Sequence, residues 1–122
     1  MVSFKSQLDT AYKKKVIGGL DKTTRAVALF VDSELVNETP VDKGRARANW
    51  LPSLNDPDTR QIEGPAGNKP PIGPVLDGFR VLEDRILLTN NLPYIRRLND
   101  GWSDQAPAGF IDNVLARAKR IV

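Results

Sequence analysis

Arg45 and Arg47, two residues apart and followed by Asn49 and Trp50, are the residues whose type and spacing most plainly could do chemistry. Paired guanidinium groups grip phosphates or carboxylates through planar forks of N–H donors. No aromatic residue is interleaved at positions 45–49, as stacking on single-stranded nucleic acid requires, so the pair reads as a protein-docking feature ahead of a DNA-binding one. Other chemistry is narrowed by composition. The chain has no Cys and no His, which removes thiol nucleophiles, disulfides, thiolate and imidazole metal sites, and histidine general bases. Asp32, Glu34, Glu38 and Asp42 fall on different sides of a helical segment and a turn, and Asp56-Pro57-Asp58 reads as a solvated turn, so neither set forms an acid–base or metal pair. Ser3, Ser6, Ser33, Ser53 and Ser103 have no activating partner in the sequence. Gly64-Pro65-Ala66-Gly67-Asn68-Lys69-Pro70 lacks the spacing of a phosphate-binding loop, and its prolines lack the amide donors such a loop uses. The expectation is a non-enzymatic protein with no cofactor and no metal site.

At 122 residues and 40% hydrophobic content, one α+β domain spanning residues 1–122 is expected. The formal net charge is +3 and is unevenly spread: nine Lys and Arg against six Asp and Glu in residues 1–50, four against six in 51–90, and five against three in 91–122. Mixed signs of this kind suit complementary protein contacts better than a dedicated nucleic-acid surface. No apolar run approaches the roughly 18 residues that cross a bilayer, and the first residues lack a signal-peptide core, so a cytoplasmic origin without membrane contact is expected.

Phe4, Leu8, Ala11, Tyr12, Lys15 and Val16 recur at spacings of three and four, the period of an amphipathic helix. Gly18-Gly19 predicts a break or kink, with a continuous helix as the alternative. Lys13-Lys14-Lys15 would then favour the dipole at the end of this first helix. A second helix, capped by Asp21, would turn Val27, Phe30, Val31, Glu34 and Leu35 inward and Arg25, Asp32 and Glu38 towards solvent. Pro40 stops it, and Val41-Asp42-Lys43-Gly44 makes a turn. From Arg45 the alternation predicts a half-buried strand, with Ala46, Ala48 and Trp50 inside and Arg45, Arg47 and Asn49 on an open face.

Six prolines and three glycines between Pro52 and Pro74 predict a long loop, with at most a short strand near Thr59–Glu63, ordered against a neighbouring molecule. Arg85–Asn90 reads as a strand, paired with Val81-Leu82 across a Glu83-Asp84 turn. Tyr94, Ile95 and Leu98 suggest a short helix carrying Arg96 and Arg97 and ending at Gly101. A final helix has Pro107 near its first turn and Phe110, Val114, Leu115, Ala118 and Ile121 inward. The expected fold packs a long N-terminal helical segment and a C-terminal helix on a small, mainly antiparallel sheet, with an extended loop at about 52–74. Candidate protein-interface residues are Arg45, Arg47, Asn49, Lys69, Arg96, Arg97 and Trp102.

Two blocks carry a resemblance. Thr39-Pro40-Val41-Asp42-Lys43-Gly44-Arg45-Ala46-Arg47-Ala48-Asn49-Trp50, and the segment from Asn90-Asn91-Leu92-Pro93-Tyr94 to Gln105-Ala106-Pro107-Ala108-Gly109, resemble the paired signatures of tail-completion or neck (head–tail connector) proteins of long-tailed bacteriophages. Lys43 departs from that pattern, where Thr is frequent, and so does the proline-rich middle loop. The resemblance implies a structural virion protein of the neck or head-proximal tail end. It would form a homo-oligomeric ring, commonly sixfold, between a head-closure or connector protein and a tail terminator or tail tube, and would assemble in the host cytoplasm. The other open readings are a nucleic-acid-binding module, including non-specific contact with DNA in a lumen, and a small cytoplasmic enzyme.

Overall fold

Two adjacent glycines do not stop the first helix. In the computed structural model, which describes residues 4–41, 44–101 and 108–121, α1 runs unbroken from Phe4 to Glu38, 35 residues and about 52 Å at the α-helical rise. The continuous alternative is the one adopted. Lys13-Lys14-Lys15 therefore sit in mid-helix, where the terminal dipole that would explain them does not reach.

Pro40 ends α1 as expected, but the alternating segment after it is not a strand. Arg45–Ala48 forms a single turn of helix, α2, entered from Gly44 at φ 74°. That conformation and the space both require glycine, because a Cβ on Gly44 would lie 2.6 Å from the Ala66 nitrogen. Alternation of small and polar residues satisfied the strand period, yet a four-residue turn buries Ala46 and Ala48 equally well. β1 begins only at Leu51, inside the stretch expected to be irregular, and runs to Leu54. It pairs antiparallel with β2, Ile86–Thr89, in the register Leu51 to Thr89 through Leu54 to Ile86. Pro52 is tolerated because each strand of a two-stranded ribbon keeps an outer edge, where a missing N–H breaks nothing. Val81 and Leu82 lie in a turn rather than a strand, and no strand forms at Thr59–Glu63.

Between the strands the chain makes one 3₁₀ turn at Ala66–Asn68 and a short helix, α3, at Gly73–Gly78, the latter entered through Pro74. After β2 come α4, Ile95–Asn99, and α5, Phe110–Ala118. Gly101 follows α4 at φ 91°, in the left-handed conformation expected of a helix stop. The architecture is an α+β fold: α1 and α5 packed together beside a two-stranded antiparallel sheet.

Leu35, Trp50 and Val114 form the centre of the core, flanked by Val31, Val36, Leu88, Ile95 and Ile111. α5 turns Phe110, Val114 and Ala118 inward at helical spacing, whereas Leu115 and Ile121, expected on the same face, are exposed. Arg117 fastens α5 to α1, with Nη1 3.2 Å from Glu34 Oε2, Nη2 3.5 Å from Glu38 Oε1, and the guanidinium 6.0 Å from the Phe30 ring centre. Three residues expected to face water on α1 do not. Arg25 donates to the carbonyls of Leu76 and Phe79 and lies over the Phe79 ring, Asp32 is buried, and Glu38 meets Arg117.

Gly18 and Gly19 have nothing within 4 Å of where a Cβ would project. Replacing both with Ala should therefore strengthen the first half of α1, by about 1 kcal/mol per residue. Amide hydrogen exchange of residues 10–20 should slow in Gly18→Ala/Gly19→Ala, and unchanged or faster exchange would show that these glycines serve a conformation other than straight helix.

Candidate functional site

The Thr39–Trp50 block proves to be a clasp. A helix leaves its last carbonyls without intrahelical partners, and those of α1 are collected by residues that come within a few positions of its end. The Thr39 hydroxyl donates to Leu35 O and accepts from the Trp50 indole N–H at 2.8 Å. Arg47 folds back, its Nε donating to Thr39 O at 2.8 Å and its Nη2 to Asn37 O at 3.1 Å. A cation on these carbonyls also suits the negative end of the helix dipole.

Asn49 is completely buried. Its Nδ2 donates to Arg45 O at 2.7 Å and to Ile62 O at 2.6 Å, and its Oδ1 accepts from Ile62 N at 2.7 Å. The side-chain amide thus pairs with one residue of the proline-rich segment much as a neighbouring strand would. Asn91 repeats the device from the other side, donating to Asp58 O at 2.7 Å and Arg60 O at 2.8 Å. At the open end of the sheet, Asn55, at φ 68°, donates from its backbone to Arg85 O and accepts from Arg85 N on its side chain, adding a rung where the strands stop. Asn55 and Asn91 were not singled out from the sequence, and Asn49 was, but as a residue facing a partner; an Asn standing immediately beside a strand or turn was the available signal, since its short side-chain amide offers a donor and an acceptor in peptide-like geometry.

The segment expected to order on a neighbouring molecule is thereby ordered on its own chain. Lys69 is tied inward as well: its ammonium lies 2.8 Å from Asp32 Oδ1, with both side chains nine-tenths covered, and donates to Pro70 O. Removing one member of such a pair costs about 3–5 kcal/mol, because the other charge stays buried. The second sequence block meets the first here, Asn90 Nδ2 reaching Ala46 O at 3.2 Å while its Oδ1 accepts from Leu92 N.

Of the residues proposed to face a partner, Asn49 and Lys69 are therefore interior, and Arg47 is half-buried on the end of α1. Arg45 is half-buried, with Nη2 3.2 Å from Gln61 Oε1 and 3.8 Å from Glu63 Oε1. For Arg45, Arg47 and Asn49 the error has one source, the assignment of strand to residues 45–50, which sent every second side chain outward; Lys69 was placed outward with the loop expected to meet a neighbour. Arg96 and Arg97 are exposed on α4. Trp102 and the Ser103-Asp104-Gln105-Ala106-Pro107 segment lie outside the described residues.

A concavity lies elsewhere, a groove of about 550 Å³ open to solvent. Val27, Ala28 and Val31 of α1 form its floor, Ile86 and Leu88 of β2 one wall, and Leu115 of α5 part of the other. Leu20, Thr23 and Thr24 of α1, with Phe79, Asp84 and Arg85, complete the lining. The lining is mainly apolar. Among the described residues no group of three or more acidic side chains is placed to hold a metal, and no helix is long and apolar enough to cross a membrane. Compared with protein-family models, curated proteins and solved structures, the chain matches none.

Two measurements test the clasp. Asn49→Ala strands both backbone groups of Ile62 and the Arg45 carbonyl, and should destabilise the fold by about 3 kcal/mol or more, read as a lower urea midpoint. A loss below a few tenths of a kcal/mol would mean that the amide pairing contributes nothing net. The second concerns acid. Hydrogen bonds from the Asn55 side chain and the Arg80 backbone N–H, with the Arg80 cation nearby, hold the Asp84 carboxyl below its ordinary value of 3.8. A depressed folded-state pKa contributes stability above the unfolded value that is lost as pH falls through the folded one. The wild-type chain should accordingly lose stability as pH drops below about 4, and Asp84→Asn should show a shallower acid dependence by thermal unfolding.

Proposed function

We propose that the chain is a non-enzymatic structural protein of a bacteriophage neck or head-proximal tail end, working as a ring, sixfold by resemblance, between the head connector and the tail. The observation that supports this best is the joining of the two resembling blocks. They are separated by the whole proline-rich segment, yet Asn90 bonds Ala46, and Asn91 and Asn49 grip the same intervening loop. Residues that look like a paired signature thus act as one structural unit. A ring protein also needs surfaces left unsatisfied in the single chain, and the outward half of α1 and the groove beside it are two such surfaces. The partners would be a head-closure or connector protein on one side and a tail terminator or tail tube on the other.

Particles assembled without the chain should accumulate as separate heads and tails under electron microscopy, with joining restored on adding the purified protein. Intact infectious particles formed in its absence would overturn the reading. In the same complementation, Arg96→Glu reverses an exposed charge on α4 and should lower infectious titre at least tenfold without changing the unfolding temperature.

A further inference from the structure

An aspartate followed by proline makes a chemically weak peptide bond, and the chain has one such pair, Asp56-Pro57. The prolyl nitrogen carries no N–H, and as a secondary amine it accepts a proton and departs more readily than a primary one. The aspartate carboxylate can close a five-membered ring on its own carbonyl carbon, with the high effective concentration of an intramolecular nucleophile. What distinguishes this pair is how the fold holds it. Ser53 Oγ donates to the Asp56 carbonyl at 2.7 Å, the distance of a donor that stabilises an oxyanion. The Asp56 N–H reaches back two residues to Leu54 O at 2.7 Å, across Asn55 at φ 68°, the sense of three-residue turn that is rare and strained. That turn is clamped from the facing strand end. Asn55 Nδ2 donates to Asp84 Oδ1 at 3.0 Å, and its Oδ1 accepts from Arg85 N at 2.9 Å.

The carbonyl is thus fixed on a hydroxyl while the nucleophile stays unengaged. Asp56 and Pro57 are exposed, and among the described residues the Asp56 carboxylate accepts no hydrogen bond and meets no cation. Its charged neighbours are occupied: Asp84 with Asn55 and Arg80, Asp58 with Arg60. We infer that Asp56-Pro57 is a self-cleaving bond, cut by the Asp56 carboxylate with the Ser53 hydroxyl stabilising the oxyanion. A carboxylate oxygen attacks the Asp56 carbonyl carbon, the new C–O bond forms, and the negative charge on the carbonyl oxygen falls on the Ser53 O–H, which keeps its proton. The prolyl nitrogen takes a proton from the solvent and leaves with the electrons of the C–N bond. A cyclic anhydride remains on Asp56, and one water opens it to two carboxylates. The net change is one water consumed, a new carboxyl end at Asp56 and a new amino end at Pro57. Beyond the cut, Asn91 still holds Asp58 and Arg60, and Asn49 holds Ile62, so the nicked chain keeps its fold while the proline-rich segment gains a free end. The inference does not rest on the neck reading.

The test is a time course of the full-length chain at about pH 5, read by intact-mass measurement after denaturation. Fragments 1–56 and 57–122 should accumulate, about tenfold or more faster in the folded chain than in the same chain unfolded in urea. Acid lability of the dipeptide alone would give equal rates, and equal rates overturn the inference. So does a chain that stays whole. Ser53→Ala should slow scission about tenfold, less than the roughly hundredfold loss of a donor in a water-excluded site, because Ser53 stands near solvent. Ser53→Thr, which keeps a hydroxyl, should retain the wild-type rate. Asp56→Glu, whose ring would have six members, and Pro57→Ala, which restores an ordinary leaving group, should leave the chain intact. An unchanged rate in Ser53→Ala with native circular dichroism would remove the hydroxyl from the reaction and overturn the inference; the comparison with urea needs no variant and decides the matter should a substitution unfold the chain.

Discussion

The unsatisfied carbonyls at the C-terminal end of α1 set the geometry of the chain from Thr39 to the proline-rich loop. A 35-residue helix cannot bond its own last turn, and at that end Pro40 forbids continuation. Thr39 and Arg47 take up the task from within the next few residues, and the Thr39 hydroxyl passes the connection to the Trp50 indole at the centre of the core. Arg47 reaches back to Asn37 from a turn of helix entered at Gly44, whose φ is 74°. Gly44 makes that possible, and the proline-rich segment then packs so closely over it that no side chain fits. One local requirement of helix chemistry thus fixes α2, the approach to β1 and the seat of the loop.

The loop shows how a small protein can order a segment that neither coils nor pairs. Prolines deny it a ladder, so the backbone groups of Asp58, Arg60 and Ile62 are met by side-chain amides of Asn91 and Asn49. The buried Lys69–Asp32 pair and the Arg25 contacts to the end of α3 fasten the remainder to α1. These polar contacts are directional, and they define one arrangement where a sheet of two short strands would define little. Interior bonding of this density leaves the loop as part of the scaffold. The surfaces in want of a partner lie at the other end of α1.

That helix does two jobs along its length. Its C-terminal half, from Ala28 through Leu35, packs on Trp50 and α5 and supplies much of the core. Its N-terminal half extends past the fold with Tyr12, Val16, Ile17 and Leu20 exposed.

The sequence by itself determined the α+β class, the stop at Pro40, the strand at residues 86–89, the α4 stop at Gly101 and the buried Phe110–Val114–Ala118 face, because each follows from local sterics or from an apolar period. It also determined that Trp50 is interior. It left undecided whether α1 passes through Gly18-Gly19, since a cost of about 2 kcal/mol can be offset by flanking turns that the local pattern does not weigh. Only the tertiary structure decided which way Arg45, Arg47, Asn49, Asp32 and Lys69 point. Polar side chains are drawn inward when buried backbone groups or charges elsewhere in the chain need partners, and such partners are 8 to 37 residues distant here. Periodicity records which side chains avoid water; it carries no information about which distant carbonyl or charge a polar one will meet. The Thr39–Trp50 block was legible as the place where the helix ends. That its arginine and asparagine close the fold is a property of three dimensions.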